Sequence, residues 1–107
     1  LKEDYIYLIE NTIGDTTRYK IGFTSNIERR LKEITTSNPG SLNVLEKFKT
    51  KWNRKVETII HKRYSNKNVK NEWFDLSDSD VKKFIYHCQK IESNLDFLYE
   101  NNNNFFL

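Results

Sequence analysis

The sequence predicts an α+β fold in which a small three-stranded antiparallel sheet is flanked by helices, and three observations carry that prediction. Two stretches of period-2 alternation, Tyr5–Ile9 and Arg18–Thr24, are separated by a short polar connection. A third alternating stretch covers Leu42–Thr50. Apolar residues at helical spacing fill three blocks, the first and second on either side of that third stretch and the third near the C-terminus. The resulting order is β-β-α-β-α-(short β)-α.

The first strand puts Tyr5, Tyr7 and Ile9 on one face and Ile6 and Leu8 on the other. Gly14-Asp15 marks the connection as a hairpin, so the second strand pairs antiparallel with the first. In that strand Tyr19, Ile21 and Phe23 share a face, and Lys20 and Gly22 share the other. A long cation beside a residue with no side chain makes a poor core lining. It suits a surface where something charged approaches the backbone closely. Periodicity allows Tyr7 and Lys20 to meet on one sheet face.

Ser25-Asn26-Ile27-Glu28 reads as a capping box opening the first helix. Ile27, Leu31 and Ile34 mark its buried stripe. At about 100° per residue Arg30 falls roughly 60° from the stripe centre, while Arg29 points away. Arg30 is thus held at the edge of the buried face; on spacing alone it also fits a snorkelling residue that covers the core. Ser37–Ser41, with the only proline, is a turn. The third strand carries Leu42, Val44 and Phe48 on its apolar face, interrupted by Glu46. Asn53 is positioned to cap a second helix with Val56, Ile59 and Ile60 inward and Glu57, His61 and Tyr64 along an adjoining stripe. Asn71–Leu76 is a compact aromatic segment whose Trp73 and Phe74 plug the core. Ser77 caps a third helix with Val81, Phe84, Ile85, Cys88, Ile91 and Leu95 inward.

A chain of 107 residues makes one domain, assigned to residues 1–98, with an Asn-rich tail or linker over 99–107. Only 36% of residues are hydrophobic, but 14% are aromatic, and aromatics bury much apolar area each. No apolar run approaches the roughly 20 residues that span a membrane, and no signal-peptide pattern is visible, so an intracellular, membrane-free setting is expected. The chain starts at Leu1 and not at methionine, which leaves room for a longer parent chain. The single cysteine, Cys88, sits at an apolar helical position and reads as core packing in a reducing compartment. Cysteines and histidines are too few for a zinc site.

A net charge of +3 permits a polyanionic partner without demanding one. The distribution says more: Lys47, Lys49, Lys51, Arg54, Lys55, Lys62, Arg63, Lys67 and Lys70 crowd the middle of the chain with few acids among them. A solvated face normally mixes both signs. A nucleic-acid backbone is the expected partner, with Lys47, Lys49, Lys51, Arg54, Lys55 and Lys62 as its contacts.

Tyr5-Ile6-Tyr7, then Tyr19-Lys20-Ile21-Gly22, Arg30 eight residues after that glycine and Glu57 on a later helix together resemble a GIY-YIG nuclease domain. The lysine before Ile21-Gly22, the Glu57-Thr58-Ile59-Ile60-His61 pattern and Glu72-Trp73-Phe74 are similar to a branch found in phages, large DNA viruses and microbial genomes, often described only as a DNA-binding domain. The resemblance covers about Tyr5 to Leu76 and rests on order and spacing more than on any one triplet. It implies that Tyr7 is a general base or water-orienting group, and that Lys20 replaces the second-triplet tyrosine, as in some restriction enzymes of the superfamily. It implies further that Arg30 is the family arginine and Glu57 the ligand of one divalent ion, Mg²⁺ or Mn²⁺. Tyr19, His61 and Asn71 are supporting residues by the same resemblance. The histidine that several members carry one turn after the arginine is replaced by Ile34.

The chemistry agrees with that set. Phosphodiester hydrolysis needs an activated water, neutralised phosphoryl oxygens and a stabilised leaving oxygen. A lone carboxylate, Glu57, suits Mg²⁺, which keeps several waters. The Arg30 fork matches a phosphate, and Lys20 close to Tyr7 favours its phenolate. The expectation is a metal-dependent DNA endonuclease; the alternative is a non-catalytic DNA-binding module on the same fold. Singly, each residue also has an ordinary structural explanation: Tyr7 as a strand aromatic, Glu57 as a solvated helix residue, Lys20 as a surface lysine.

Overall fold

The structure is a computed structural model that describes residues 4–101. Chain order is β1 (Asp4–Ile13), β2 (Thr16–Thr24), α1 (Ile27–Ser37), β3 (Ser41–Thr50), α2 (Asn53–Arg63), a 3-10 turn at Ser65–Lys67, β4 (Asn68–Lys70), β5 (Trp73–Phe74), α3 (Asp78–Lys82) and α4 (Phe84–Asn101). The α+β class holds, but the sheet has five strands in the order β3-β1-β2-β5-β4, not three. Of the two additional strands, β5 falls on the short β expected before the last helix and β4 was not foreseen; at two and three residues both are too short to show a period. The third expected helix is likewise two: Lys83 closes α3 before α4 begins at Phe84. α4 runs through residues 99–101, where the tail was expected to begin. Residues 102–107, which hold the rest of that Asn-rich segment, and residues 1–3 lie outside the described residues.

The hairpin turns on Gly14, whose φ of 60° is the left-handed value that glycine adopts without penalty. Its register pairs Tyr7 with Gly22 and Ile9 with Lys20, so Tyr7, Ile9, Lys20 and Gly22 share a face, as periodicity allowed. On that face Tyr7, Ile9 and Ile34 form a small buried cluster against α1. The opposite face is the main core: Ile6, Leu8 and Ile21 pack with Val56 and Ile60 of α2 and Phe84, Cys88 and Leu95 of α4. Each fully buried aliphatic there contributes about 1.5–3 kcal/mol, so stability rests mostly on this side. Cys88 is fully buried, and burial pushes its thiol up to about 12, which fits core packing. Trp73 and Phe74 do not plug one core; they straddle the sheet, Phe74 in the main core and Trp73 against the smaller cluster.

Four local expectations are corrected. The N-cap of α1 is Asn26, whose side chain accepts from Arg29 N, one residue beyond Ser25. Trp52, not Asn53, stands at the N-cap of α2, and Asn53 instead donates to Asp4 Oδ2 at 2.8 Å. In β3 a bulge shifts the register between Ile9↔Val44 and Leu8↔Glu46, so the face switches midway. Leu42 and Val44 pack on the α1 side while Leu45 and Phe48 turn to the main core, which explains how Glu46 interrupts the pattern. Ile59 is 40% exposed, because α2 buries only the narrower stripe of Val56 and Ile60. No helix of the described residues is long and apolar enough to cross a membrane.

Candidate nuclease site

Gly22 is the hinge of the geometry. A methyl group there would stand 2.4 Å from Tyr7 Oη, 2.7 Å from Tyr7 Cζ and 3.0 Å from Glu72 Oε1. The bare backbone thus leaves a gap on the α1 side that the tyrosine hydroxyl and a carboxylate fill from different directions. β5 pairs with β2 only at Tyr19 and Lys20, so the β2 edge beyond that point has no strand neighbour. Ile21 completes its bonding outside the ladder: its N–H donates to Glu72 O at 3.1 Å, and its carbonyl accepts from His61 Nε2 at 2.7 Å. Through that uncovered edge α2, on one face of the sheet, shares a cleft with α1 on the other.

The cleft, about 410 Å³, is lined by Asp4, Phe23, Thr24, Ser25, Arg29, Arg30, Glu33, Glu57 and Glu72. A smaller one of about 240 Å³ on the far side of Arg30 is lined by Lys20, Arg30, Glu33, Ile34, Ser37 and Asn38. Arg30 walls both. Its Nε donates to Tyr7 Oη at 3.3 Å and its Nη1 to Glu33 Oε1 at 3.3 Å, which leaves Nη2 without a partner among the described residues. Arg29 is exposed, as helical phase predicts. The hydrogen bond to Tyr7 raises the Arg30 pKa above its ordinary value, so the guanidinium is a permanent cation.

Tyr7, Lys20, Arg30 and Glu57 therefore come to one region, but not with the electrostatics expected of them. Tyr7 is fully enclosed, and burial pushes its hydroxyl pKa up against the opposing pull of Arg30. Lys20 does not favour a phenolate: its ammonium lies 3.2 Å from Glu72 Oε1 and 5.3 Å from the Trp73 ring centroid. Tyr7 is a neutral phenol around pH 7. Nor is Glu57 a lone carboxylate, since Asp4, Glu33 and Glu72 line the same cleft. Glu57 is half-buried and makes no hydrogen bond or ion pair with the described residues. Burial first and the Glu72 charge second raise its pKa, with His61, Arg54 and Lys20 pulling the other way.

Of the supporting residues, His61 braces the β2 edge and packs edge-on against Phe74 with ring centroids 5.0 Å apart. Tyr19 is a buried core residue opposite Phe74. Asn71 is exposed at the β4–β5 turn with φ 52°, a conformation asparagine tolerates. Glu72, the next residue, is the one that reaches the cleft. Sequence reasoning had noted it only within Glu72-Trp73-Phe74; the available signal was that it is the first acid after Glu57 in a cation-rich stretch.

The expected DNA contacts divide between faces. Lys47 and Lys49 pair with Tyr7 and Tyr5 in register and are exposed on the α1 side, Lys47 stacking 5.5 Å from the Tyr5 ring centroid. Arg54, Lys55 and Lys62 are exposed on α2, with Arg54 5.5 Å from the Phe23 centroid. Lys51 packs on Trp52 and Tyr99 and reaches Asp96 at 3.8 Å.

A divalent ion can be tested against this donor set. No group of three or more His, Cys, Asp or Glu side chains among the described residues is arranged to hold a metal. Glu57, with its uncommitted carboxylate, is the available ligand; Asp4 Oδ1 at the same cleft is also buried without a hydrogen bond, whereas Glu72 Oε1 is held by the Lys20 ammonium. That fits an ion which takes one or two carboxylates and fills its shell with water and phosphate, as Mg²⁺ does.

Comparison with known proteins identifies the family. The T5orf172 domain matches residues 4–89, most of the chain, so the chain belongs to that family. The domain is associated with GIY-YIG-like, endonuclease-type DNA-binding modules. No curated protein and no solved structure matches the chain.

Proposed function

We propose that this member of the T5orf172 family is a metal-dependent DNA endonuclease that hydrolyses phosphodiester bonds by a GIY-YIG-type, one-metal mechanism at the Gly22 cleft. The observation that carries the reading is the charge of the cleft wall. Four acids, Asp4, Glu33, Glu57 and Glu72, face two arginines there. A pure phosphate-binding groove would not line itself with an excess of carboxylates, because each repels the ligand. An acidic wall beside a fixed arginine makes sense when a divalent cation lies between carboxylate and phosphate.

Each residue then has a task. Glu57 would hold the ion, whose chemistry is to polarise the phosphoryl group and make a bound water more acidic. Arg30 directs its Nη edge at a phosphoryl oxygen, where a fixed cation stabilises charge that develops in the transition state. Tyr7 orients Arg30 through Oη. Neither role implied for Tyr7, general base or water-orienting group, suits a hydroxyl that is fully enclosed and bonded to Arg30 Nε; its burial supports the positioning of Arg30 instead. Lys20 adds a second cation at the Gly22 gap. Lys47, Lys49, Arg54, Lys55 and Lys62 supply backbone contacts of the kind that position DNA without reading sequence.

Tyr7→Phe follows as a test of that division. It keeps the ring and removes the acceptor of Arg30 Nε, so cleavage should fall about 10–100-fold, with urea-melt stability lowered by no more than about 1 kcal/mol. A variant that cuts at the parental rate would free Arg30 from its dependence on Tyr7. The function itself is tested by incubating the protein with supercoiled plasmid in Mg²⁺ or in EDTA. Nicking that requires the metal is expected. Binding without nicking would select the non-catalytic DNA-binding module.

A further inference from the structure

We propose that Glu72 is a positioning residue that clamps the Lys20 ammonium over the Gly22 gap and occupies the place of a phosphate oxygen, so that bound substrate must take Lys20 from it. The proposal deepens the nuclease reading and rests on it for the identity of the displacing anion.

The backbone holds Glu72 in place before its side chain does anything. Glu72 O accepts from Ile21 N at 3.1 Å. Asn68 Nδ2 fastens the turn on either side by donating to Asn71 O at 2.7 Å and to Trp73 O at 3.2 Å. The side chain then enters the gap left by the missing Cβ of Gly22, where Tyr7 Oη also ends. There its Oε1 lies 3.2 Å from Lys20 Nζ, with only 13% of the Lys20 side chain exposed. The Trp73 ring faces the same ammonium, with its centroid 5.3 Å away. Lys20 is therefore confined between an aromatic face and a carboxylate, unlike an exposed pair whose partners exchange freely with water.

Glu72 Oε1 is shielded from solvent, yet no hydrogen bond is aligned on it; the ion pair with Lys20 holds it by charge alone. Buried carboxylate oxygens normally accept aligned donors, and leaving one short has a cost. A static brace would have no reason to bear that cost. A carboxylate that must yield Lys20 to an incoming phosphate would, because a fully satisfied pair would resist exchange. The phosphate offers Lys20 equivalent oxygens, and Arg30 lines the same small cleft as Lys20, where it can receive the same group.

The experiment uses the full chain and separates this proposal from the nuclease reading. In the DNA-free protein, ¹³C-dimethyl labelling reports each lysine ammonium by NMR, and the Lys20→Met variant assigns the Lys20 signal. Glu72→Gln and Glu72→Asp should both move and sharpen that signal, the first by removing the charge and the second by shortening its reach. Binding of a short DNA duplex is then followed in EDTA across a salt series. Glu72→Gln should bind about threefold to tenfold more tightly across that series, because the phosphate no longer has to displace a carboxylate from Lys20. The gain should vanish on the Lys20→Met background. With Mg²⁺, single-turnover cleavage should slow about tenfold or more in both Glu72 variants, a loss of rate without loss of affinity. An unmoved Lys20 signal, an equal gain of affinity without Lys20, or a Glu72→Asp protein that cleaves at the parental rate would overturn the proposal. If the Lys20 signal moves and its DNA effects appear but the wild-type protein never cleaves, the clamp stands and the nuclease reading fails.

Discussion

Gly22→Ala should destabilise the protein by about 1–3 kcal/mol and lower cleavage by about 100-fold or more. The cause is steric and local. The new methyl would sit 2.4 Å from Tyr7 Oη and 2.7 Å from Cζ, closer than any carbon contact allows. The φ of Gly22 is not in the left-handed region, so the substitution brings no backbone strain of its own. Tyr7 cannot swing aside cheaply, because it is fully enclosed between the sheet and α1. Moving its ring would release Arg30 Nε and displace the Glu72 carboxylate, so a single methyl disturbs the whole cluster. Urea unfolding and single-turnover cleavage measure the two effects. Adding Tyr7→Phe to Gly22→Ala should restore part of the lost stability, since the hydroxyl is the nearest obstacle. Unchanged stability and rate in the single variant would mean that Gly22 does not set the geometry of the site.

Glu57→Gln should cost about 10²–10³-fold in cleavage while making the folded protein more stable at neutral pH. The amide keeps the shape and loses the charge that an ion would be held by. The stability change follows from the raised pKa of the carboxyl, caused first by burial and then by Glu72. A carboxyl whose folded pKa lies above its unfolded value favours unfolding once it is ionised in both states. That penalty is fully present above the folded pKa and fades as pH falls through it toward the unfolded value. The thermal-midpoint advantage of the variant over wild type should therefore be largest near neutrality and disappear in acid, in EDTA so that no ion contributes. DNA binding should be unchanged or slightly tighter, as one repulsive charge is removed. Loss of cleavage with a lowered midpoint would instead make Glu57 a structural residue.

Much of the framework was legible because it follows from single elements. The hairpin, the three main strands and the buried stripe of α1 obey periods that sequence displays directly, as does that of α2 apart from the exposed Ile59, and helical phase separated Arg30 from Arg29. What was not legible depends on relations between elements. The β3 bulge reverses which face Phe48 takes, and no local pattern announces the extra residue. β5 exists because β2 offers it an edge and β4 because β5 does in turn, not because two or three residues favour a strand by themselves. Among the site residues, Tyr7, Lys20 and Gly22 followed from hairpin register, whereas Glu72 did not. Its role arises from a gap left by a glycine fifty residues earlier. The same gap explains the reversed expectation for Lys20, whose ammonium is drawn to the carboxylate and not to the tyrosine.

The most direct test of the account compares Arg30→Ala with Arg29→Ala, neighbours on one helix that remove the same charge. Arg30 is fixed by Tyr7 and Glu33 at the wall of both clefts, whereas Arg29 lies exposed beside one. Single-turnover cleavage of one duplex in Mg²⁺, with DNA affinity measured in parallel, should show Arg30→Ala slowed by about 10²–10³-fold. Arg29→Ala should stay within about threefold of the parent, as a surface charge screened by solvent and salt should. Equal losses in the two variants would show that positive charge on α1, and not the site built around Gly22, governs whatever the protein does to DNA.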